Sequence, residues 1–138
     1  MTEKHHLLTN DELEDKFSTC DVPAVLFTHE AHLRLSYIHI TKYGLDQAIE
    51  NLAKQIADCD NKYGDGTKFN KTLTVASAKV VSHFIEKAKS EDFNNFIIEY
   101  PQLKYDFIGL LKTHYEIDIF NDKVAKQEYL EPDLLAFG

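Results

Sequence analysis

Apolar residues recur every three or four positions along most of this chain, and the pattern predicts one helix after another. The clearest stretch is 45–63, where apolar side chains share one face and charged side chains mark the opposite face. Residues 29–43 and 69–89 repeat the same period over several turns. The pattern therefore predicts an all-α fold, a single-domain bundle of five to seven helices.

Capping residues define where the first two helices begin. Thr9 followed by Glu12 has the spacing of a capping box, which predicts a short helix running through Phe17. Thr28 is a suitable N-cap for residues 29–43, because its hydroxyl can accept from the unpaired N–H groups of the first turn. The core-facing stripe of this helix is predicted to comprise His29, His32, Leu33, Ser36, Ile40 and Tyr43, with Ile38 on the far side.

Gly44 lies between two of the predicted helices. It fits the position after a helix end, where the left-handed backbone conformation favours glycine. A junction this short predicts that 29–43 and 45–63 pack antiparallel as a helical hairpin. We expect 69–89 to pack against both.

The remainder of the chain carries shorter signals. Ser90 is predicted to cap a helix, 103–115 has the spacing of a further helix, and Asn121 is placed to cap a last short one. Pro132 biases its neighbour away from helix, so residues 131–138 are predicted to lie over the helices as an extended tail.

Composition limits the class of protein. The chain has 138 residues, of which 43% are hydrophobic, and this is typical of one globular domain spanning 1–138. The formal net charge of −8 disfavours nucleic acid as a partner, because binding to a phosphate backbone depends on clustered Lys and Arg. No apolar run approaches membrane-spanning length, and the amino terminus lacks the apolar region of a secretory leader. We therefore expect a cytoplasmic protein without a membrane partner.

The cysteines and the first two histidines receive simple interpretations. Cys20 and Cys59 lack C-x-x-C spacing, so we expect two ordinary thiols in a reducing cytosol rather than a disulfide. His5 and His6 belong to the polar terminal segment 1–8, where we expect frayed, solvated side chains with at most adventitious metal binding.

One segment, residues 27–36, suggests a chemical site. His29 and His32 are three residues apart at the start of a predicted helix, so both rings can share one face. Three interpretations remain open. The pair coordinates a divalent metal, it binds a small organic ligand or transfers a proton, or it is structural and satisfied by backbone carbonyls or a carboxylate such as Glu30.

A metal site at this pair needs a third ligand. His39 lies about 10 Å further along the helix at about 1.5 Å per residue, so that ligand must come from another helix. The spacing also differs from the H-E-x-x-H motif of zinc proteases, because the second histidine is three and not four residues after the first.

Three short segments in order along the chain carry a family pattern: Phe27-Thr28-His29-Glu30-Ala31-His32-Leu33, Lys68-Phe69-Asn70-Lys71-Thr72-Leu73-Thr74, and His114-Tyr115 leading to Glu131-Pro132-Asp133-Leu134. Over residues 27–134 the chain resembles a family of small bacterial helical proteins of unassigned biochemical function. The pattern of that family is F-x-H-x-x-H-[LV], then Y-H-x-T-[ILV]-T, then HY followed by PDL.

Phe69-Asn70 stands where this family has Tyr-His, whereas His29, His32, Thr72 and Thr74 match its pattern. Asparagine is a poor ligand for a transition metal, so the difference favours a hydrogen-bonding pocket over a metal site. The resemblance and the positions at helix starts together predict a small-molecule pocket lined by His29, His32, Asn70 and Thr74. For the two threonines, a local role as capping or back-bonding hydroxyls is the favoured alternative.

A different class of function is a noncatalytic interaction protein. Such a protein would form a homodimer through exposed aromatic residues of 93–115 or through the tail residues Leu134, Leu135 and Phe137. The sequence identifies no cofactor and does not decide between an enzyme and a binding protein.

Overall fold

A computed structural model describes residues 4–21, 26, 28–63 and 69–137, and over these residues the fold is all-α, as predicted. A 3₁₀ helix, Lys4–Leu7, precedes eight α-helices, five of which have at least seven residues. They are α1 Asn10–Ser18, α2 His29–Tyr43, α3 Leu45–Tyr63, α4 Lys71–Lys87, α5 Phe93–Glu99, α6 Gln102–Tyr105, α7 Phe107–Lys112 and α8 Lys123–Gln127. None of these helices combines the length and apolar character needed to cross a bilayer. Phe27 and Lys68 of the family pattern lie outside the described residues.

The chain divides into two compact units, residues 1–69 and residues 70–138. The N-terminal unit contains α1 to α3 and the C-terminal unit contains α4 to α8. The predicted single domain, and the predicted packing of 69–89 against the first two long helices, concern both units and stay predictions.

Local capping explains the helix starts in the N-terminal unit. The Thr9 hydroxyl accepts from the Glu12 N–H at 3.2 Å, and the Glu12 carboxylate accepts from the Thr9 N–H at 3.0 Å. This reciprocal pair is the predicted capping box. The Thr28 hydroxyl accepts from the Ala31 N–H at 3.1 Å and caps α2 as predicted.

Gly44 has a φ of 86°, a left-handed conformation that suits glycine, and it separates α2 from α3 by a single residue. The bounds predicted for both helices agree with the structure. The two helices pack against each other, which confirms the predicted hairpin.

Helix α2 is buried around most of its circumference, and the predicted single stripe is too narrow. Ile38, which was placed on the far side, is only 5% exposed, whereas His29 and Tyr43 of the stripe are exposed. The buried set also includes Glu30 and Arg34. A helix enclosed in this way must satisfy polar side chains inside the unit.

Cys20 and Cys59 form a disulfide that joins the end of α1 to α3, with their Cα atoms 5.2 Å apart. The prediction of two free thiols was therefore wrong. The cysteines are 39 positions apart in sequence, so their spacing carries no signal. Packing of α1 against α2 and α3 brings them together.

Cys20 has a left-handed backbone conformation with a φ of 56°. Its N–H donates to the Phe17 carbonyl at 3.1 Å, and the Asp21 N–H donates to the Lys16 carbonyl at 2.8 Å. These two bonds form a Schellman motif, in which glycine is the usual residue at this position. The disulfide accounts for a cysteine at a site that favours glycine.

Two helix starts in the C-terminal unit differ from the prediction by one or two residues. Asp92, not Ser90, caps α5, and the Ser90 hydroxyl instead donates to Glu99 at 2.8 Å. Asp122, not Asn121, caps α8, because the Asn121 amide donates to an upstream carboxylate. In each case an Asp one or two residues further along is the cap. Ser, Asn and Asp have similar N-cap preferences, so residue type alone does not distinguish these positions.

The predicted helix 103–115 is two short helices, α6 and α7. Asp106 separates them with φ −141° and ψ 42°, outside the helical region. The apolar spacing continues through this break, so periodicity alone did not reveal it.

The chain after α8 contains no helix up to Phe137, as predicted for the tail. The Leu130 N–H donates to the Thr72 hydroxyl at 3.0 Å, and the Tyr115 hydroxyl donates to the Leu130 carbonyl at 2.7 Å. The Leu134 N–H donates to the His114 carbonyl at 2.9 Å. His114 Nδ1 also lies 2.7 Å from the Leu135 carbonyl, so hydrogen bonds hold both the tail and the residue before it.

We expect the left-handed conformation at Cys20 to affect stability once the disulfide is removed. In a Cys59→Ser background, Cys20→Gly should exceed Cys20→Ser in free energy of unfolding by about 1 kcal/mol, since glycine avoids the Cβ clash of this conformation. Urea unfolding followed by circular dichroism measures the difference. Equal stabilities would mean that the left-handed conformation is not retained without the disulfide.

Candidate functional site

Within the described ranges, one group of side chains has the donor set of a transition-metal site: His5, His6 and Glu30. Nε2 of His5 lies 2.8 Å from Oε2 of Glu30, and Nε2 of His6 lies 3.3 Å from the same oxygen. One ligand atom from each residue lies within 4.8 Å of the other two. We call these three residues the histidine–glutamate cluster.

The cluster joins two elements that are far apart in sequence. Both histidines lie in the 3₁₀ helix Lys4–Leu7, and Glu30 lies in the first turn of α2. His5 is fully buried and Glu30 is 7% exposed, whereas the side chain of His6 is 21% exposed. The cluster is therefore accessible mainly through His6.

Arg34 attaches the terminal segment to α2. Its Nη1 donates to the His5 carbonyl at 2.6 Å, and its Nη2 donates to the Leu8 carbonyl at 2.8 Å. Its Nε and Nη2 also donate to Oδ1 of Asn10, at 3.2 and 2.9 Å. The planar guanidinium thus binds three consecutive parts of the chain at once, which a lysine ammonium could not reproduce.

These contacts overturn the expectation that His5 and His6 are frayed and solvated. Sequence reasoning treated residues 1–8 by composition, and a polar terminal segment is usually solvated. Here the segment supplies the polar partners for two charged residues, Glu30 and Arg34, which α2 places in the interior. A charged pair four residues apart within an apolar helix, Glu30 and Arg34, was the signal that could have identified the contact.

Burial lowers the pKa of His5, and the hydrogen bond to Glu30 partly offsets that effect. The ring is therefore neutral at pH 7. Arg34 Nη1 lies 3.3 Å from Nδ1 of His5, and because a guanidinium only donates, Nδ1 accepts and the ring proton lies on Nε2. Without metal, the cluster is a hydrogen-bonded network around one buried carboxylate.

Two of the three distances between donor atoms are close to those of a tetrahedral metal site. Ligand atoms bound to a metal at about 2.0–2.1 Å lie about 3.3 Å from one another. The distance from His6 to Glu30, 3.3 Å, already has this value. The distance from His5 to Glu30, 2.8 Å, must increase by about half an ångström.

The structure places His29 and His32 on the first turns of α2, next to the cluster in sequence. His29 is exposed, and His32 is half-buried with Nδ1 3.0 Å from the Thr28 carbonyl. The His32 ring meets the Phe17 ring edge-on, with centroids 6.0 Å apart. Burial lowers the pKa of His32, so this ring is neutral at pH 7.

Asn70 and Thr74, the other two predicted pocket residues, lie at the start of α4 in the C-terminal unit. The Asn70 side chain accepts from the Leu73 N–H at 2.9 Å and donates to the Ile119 carbonyl at 2.7 Å. The Thr74 hydroxyl donates to the Asn70 carbonyl at 2.9 Å, which is the back-bonding role that sequence favoured. Thr72 has a different role, because its buried hydroxyl donates to the Glu128 carbonyl and so binds the chain beyond α8.

His39 is a further buried histidine that sequence reasoning did not single out as a core residue. It is 1% exposed, its Nδ1 lies 3.3 Å from Nδ2 of Asn51, and its Nε2 is buried without a hydrogen-bond partner. Burial lowers the pKa of His39.

Comparison with known proteins adds no assignment. No protein-family model matches this chain, and neither a curated protein nor a solved structure matches it. The resemblance to the small bacterial helical family stays a prediction that rests on the three segments.

We expect the buried histidines to make stability depend on pH below neutrality. In the folded chain burial lowers the pKa of His5, His32 and His39, so the unfolded chain binds these protons first as pH falls. The free energy of unfolding should be highest above about pH 6.5. It should fall as pH decreases below this value towards the lowered pKa values of the folded chain.

A His39→Leu variant tests this effect at one position. It should lose less stability than the wild type between pH 7.5 and pH 5 in urea unfolding experiments, because it removes a buried group that must bind a proton. His83→Gln, in the other unit, is the control and should retain the wild-type dependence. A His39→Leu profile identical to the wild type would mean that burial of His39 does not contribute.

Proposed function

We propose that this protein binds a divalent transition metal ion at the histidine–glutamate cluster. The observation that carries the proposal is the approach of two imidazole nitrogens to one oxygen of a buried carboxylate. Neutral imidazole and carboxylate are preferred ligands of zinc and of divalent iron, cobalt and nickel. Two histidines and one glutamate also form the ligand set of several catalytic zinc sites.

The same contacts also support a purely structural role, in which the network holds the terminal segment on α2. The two roles differ in how they respond to added metal and to pH. Metal binding through Nε2 requires both rings to be neutral, with the ring proton on Nδ1. Protons therefore compete with the metal for these nitrogens, and affinity should decrease as pH falls. A purely structural network requires no ion, so added metal should not bind to it at any pH.

Removing one ligand should abolish binding without unfolding the chain. We expect His6→Ala to lose specific binding of Co²⁺, measured by visible absorption and calorimetry, because one of the three ligands is removed. The variant should still fold, since the ring of His6 is partly exposed and its loss leaves no large cavity. Glu30→Gln should weaken binding at least about 100-fold, since it replaces an anionic ligand by a neutral amide.

His83→Ala is the matched control, because it removes one histidine from the C-terminal unit. It should bind Co²⁺ with wild-type affinity and a stoichiometry of one. Absence of saturable binding by the wild type would overturn the proposal. Wild-type affinity in His6→Ala, or loss of binding in a His29→Ala/His32→Ala variant, would place the metal elsewhere.

A second candidate function is the binding of a small organic ligand beside His29 and His32, as the sequence predicts. Its support is a neutral, half-buried imidazole at His32, oriented by the Thr28 carbonyl, with the exposed His29 one turn before it. A neutral imidazole of fixed orientation is suited to hydrogen bonding or proton transfer.

The double variant His29→Ala/His32→Ala tests this candidate in a thermal-shift screen of small organic acids, amines and nucleosides. At least one compound should raise the melting temperature of the wild type and not that of the variant. Identical responses of the two proteins to every compound would remove the candidate.

We also propose, from the sequence, that the protein forms a homodimer and is cytoplasmic. Homodimer formation is supported by the exposed Leu134 and Leu135 of the tail, at 56% and 59%. Phe137 is less available, because its ring stacks on His114 with centroids 4.2 Å apart. A cytoplasmic location was predicted from the amino terminus, from the lack of a membrane-length apolar run and from the expected free thiols. The Cys20–Cys59 disulfide, a bond typical of oxidising compartments, weighs against the last of these arguments.

A further inference from the structure

We infer that the metal-loaded histidine–glutamate cluster binds a small anion as an additional ligand. The inference rests on the proposed metal binding and specifies the chemical class of the partner. It follows from the number of protein ligands, from the charges around them and from the direction in which the cluster is exposed.

Among the residues that the structure describes, the cluster supplies three protein ligands. A tetrahedral divalent ion held by His5, His6 and Glu30 retains one open position, as in catalytic zinc sites, whereas closed structural sites have four protein ligands. We expect water or an exogenous ligand to occupy that position. The cluster therefore defines an exchangeable coordination site.

The charges favour an anion at this position. Neutral histidines leave Glu30 as the one anionic ligand, which neutralises half the charge of a divalent ion. Arg34 adds a further positive charge, since its Nη1 lies 3.3 Å from the His5 ring. The metal, Glu30 and Arg34 together thus carry two net positive charges in a largely buried setting, where screening by solvent is weak.

Metal binding also changes the contact between Arg34 and His5. Binding through Nε2 requires the ring proton on Nδ1, the nitrogen that faces the guanidinium. Two donors then face each other, and Arg34 cannot turn away easily because it also binds the His5 and Leu8 carbonyls. Arg34 therefore opposes the loaded state unless a further negative charge is added.

His6 is the most exposed of the three ligands. Its side chain is 21% exposed, compared with 0% for His5 and 8% for Glu30. Because the other two ligands are buried, we expect a small anion to reach the metal more readily than a large one. Azide and acetate, two anions of different shape and basicity, are suitable probes.

The experiment titrates azide, and separately acetate, into the Co²⁺-loaded full chain at constant ionic strength. We expect a saturable change in the visible absorption bands of Co²⁺, because an anion that replaces water alters the ligand field. By linkage, the apparent affinity for Co²⁺ should rise in the presence of azide. Perchlorate, a weak ligand, provides the ionic-strength control and should change neither quantity.

Arg34→Gln tests the electrostatic part of the inference. Its affinity for azide should decrease about ten-fold at equal Co²⁺ occupancy, because one positive charge near the metal is removed. Arg34→Lys keeps the charge and should remain closer to the wild type. If Arg34→Gln does not fold, the wild-type linkage between azide and Co²⁺ affinity still decides the question.

The outcomes separate the two proposals. A wild type that binds no Co²⁺ overturns the proposed function and with it the anion site. A wild type that binds Co²⁺ but shows no spectral change and no change in Co²⁺ affinity with either anion overturns this inference alone. Equal azide affinity in Arg34→Gln and the wild type would overturn the role of Arg34.

Discussion

The guanidinium of Arg34 is the interaction on which the arrangement of the N-terminal segment depends. It donates to the carbonyls of His5 and Leu8 and to the side chain of Asn10, and all of these partners precede α1 or begin it. A buried arginine without such partners would be strongly destabilising. The segment therefore supplies hydrogen-bond partners for the buried Arg34, and these contacts hold the two histidines beside Glu30.

Local signals were sufficient to predict the three α-helices of the N-terminal unit, but not its 3₁₀ helix. Thr9, Thr28 and Gly44 each act through backbone groups a few residues away, so their effect can be read from sequence. The hairpin of α2 and α3 follows from a junction too short for any other packing. The C-terminal unit was predicted less accurately at Asp106, where the chain leaves the helical region while apolar spacing continues.

The cluster and the disulfide depend on contacts between residues distant in sequence, and no local rule predicts them. His5 and Glu30 are 25 positions apart, and the two cysteines are 39 apart. Their association requires α1 to pack on the hairpin with one particular orientation. The composition of residues 1–8 gave the opposite expectation, because a polar segment is solvated unless the interior offers charged partners.

The family pattern and the histidine–glutamate cluster use different residues of the same helix turn. In F-x-H-x-x-H the fixed positions correspond to His29 and His32, whereas Glu30 occupies a position that the pattern leaves open. Neither His5 nor His6 belongs to any of the three segments. The chemistry proposed for the cluster is therefore not inherited from the resemblance. It follows from the turn of α2 that exposes His29 and, one residue later, directs Glu30 towards the terminal segment.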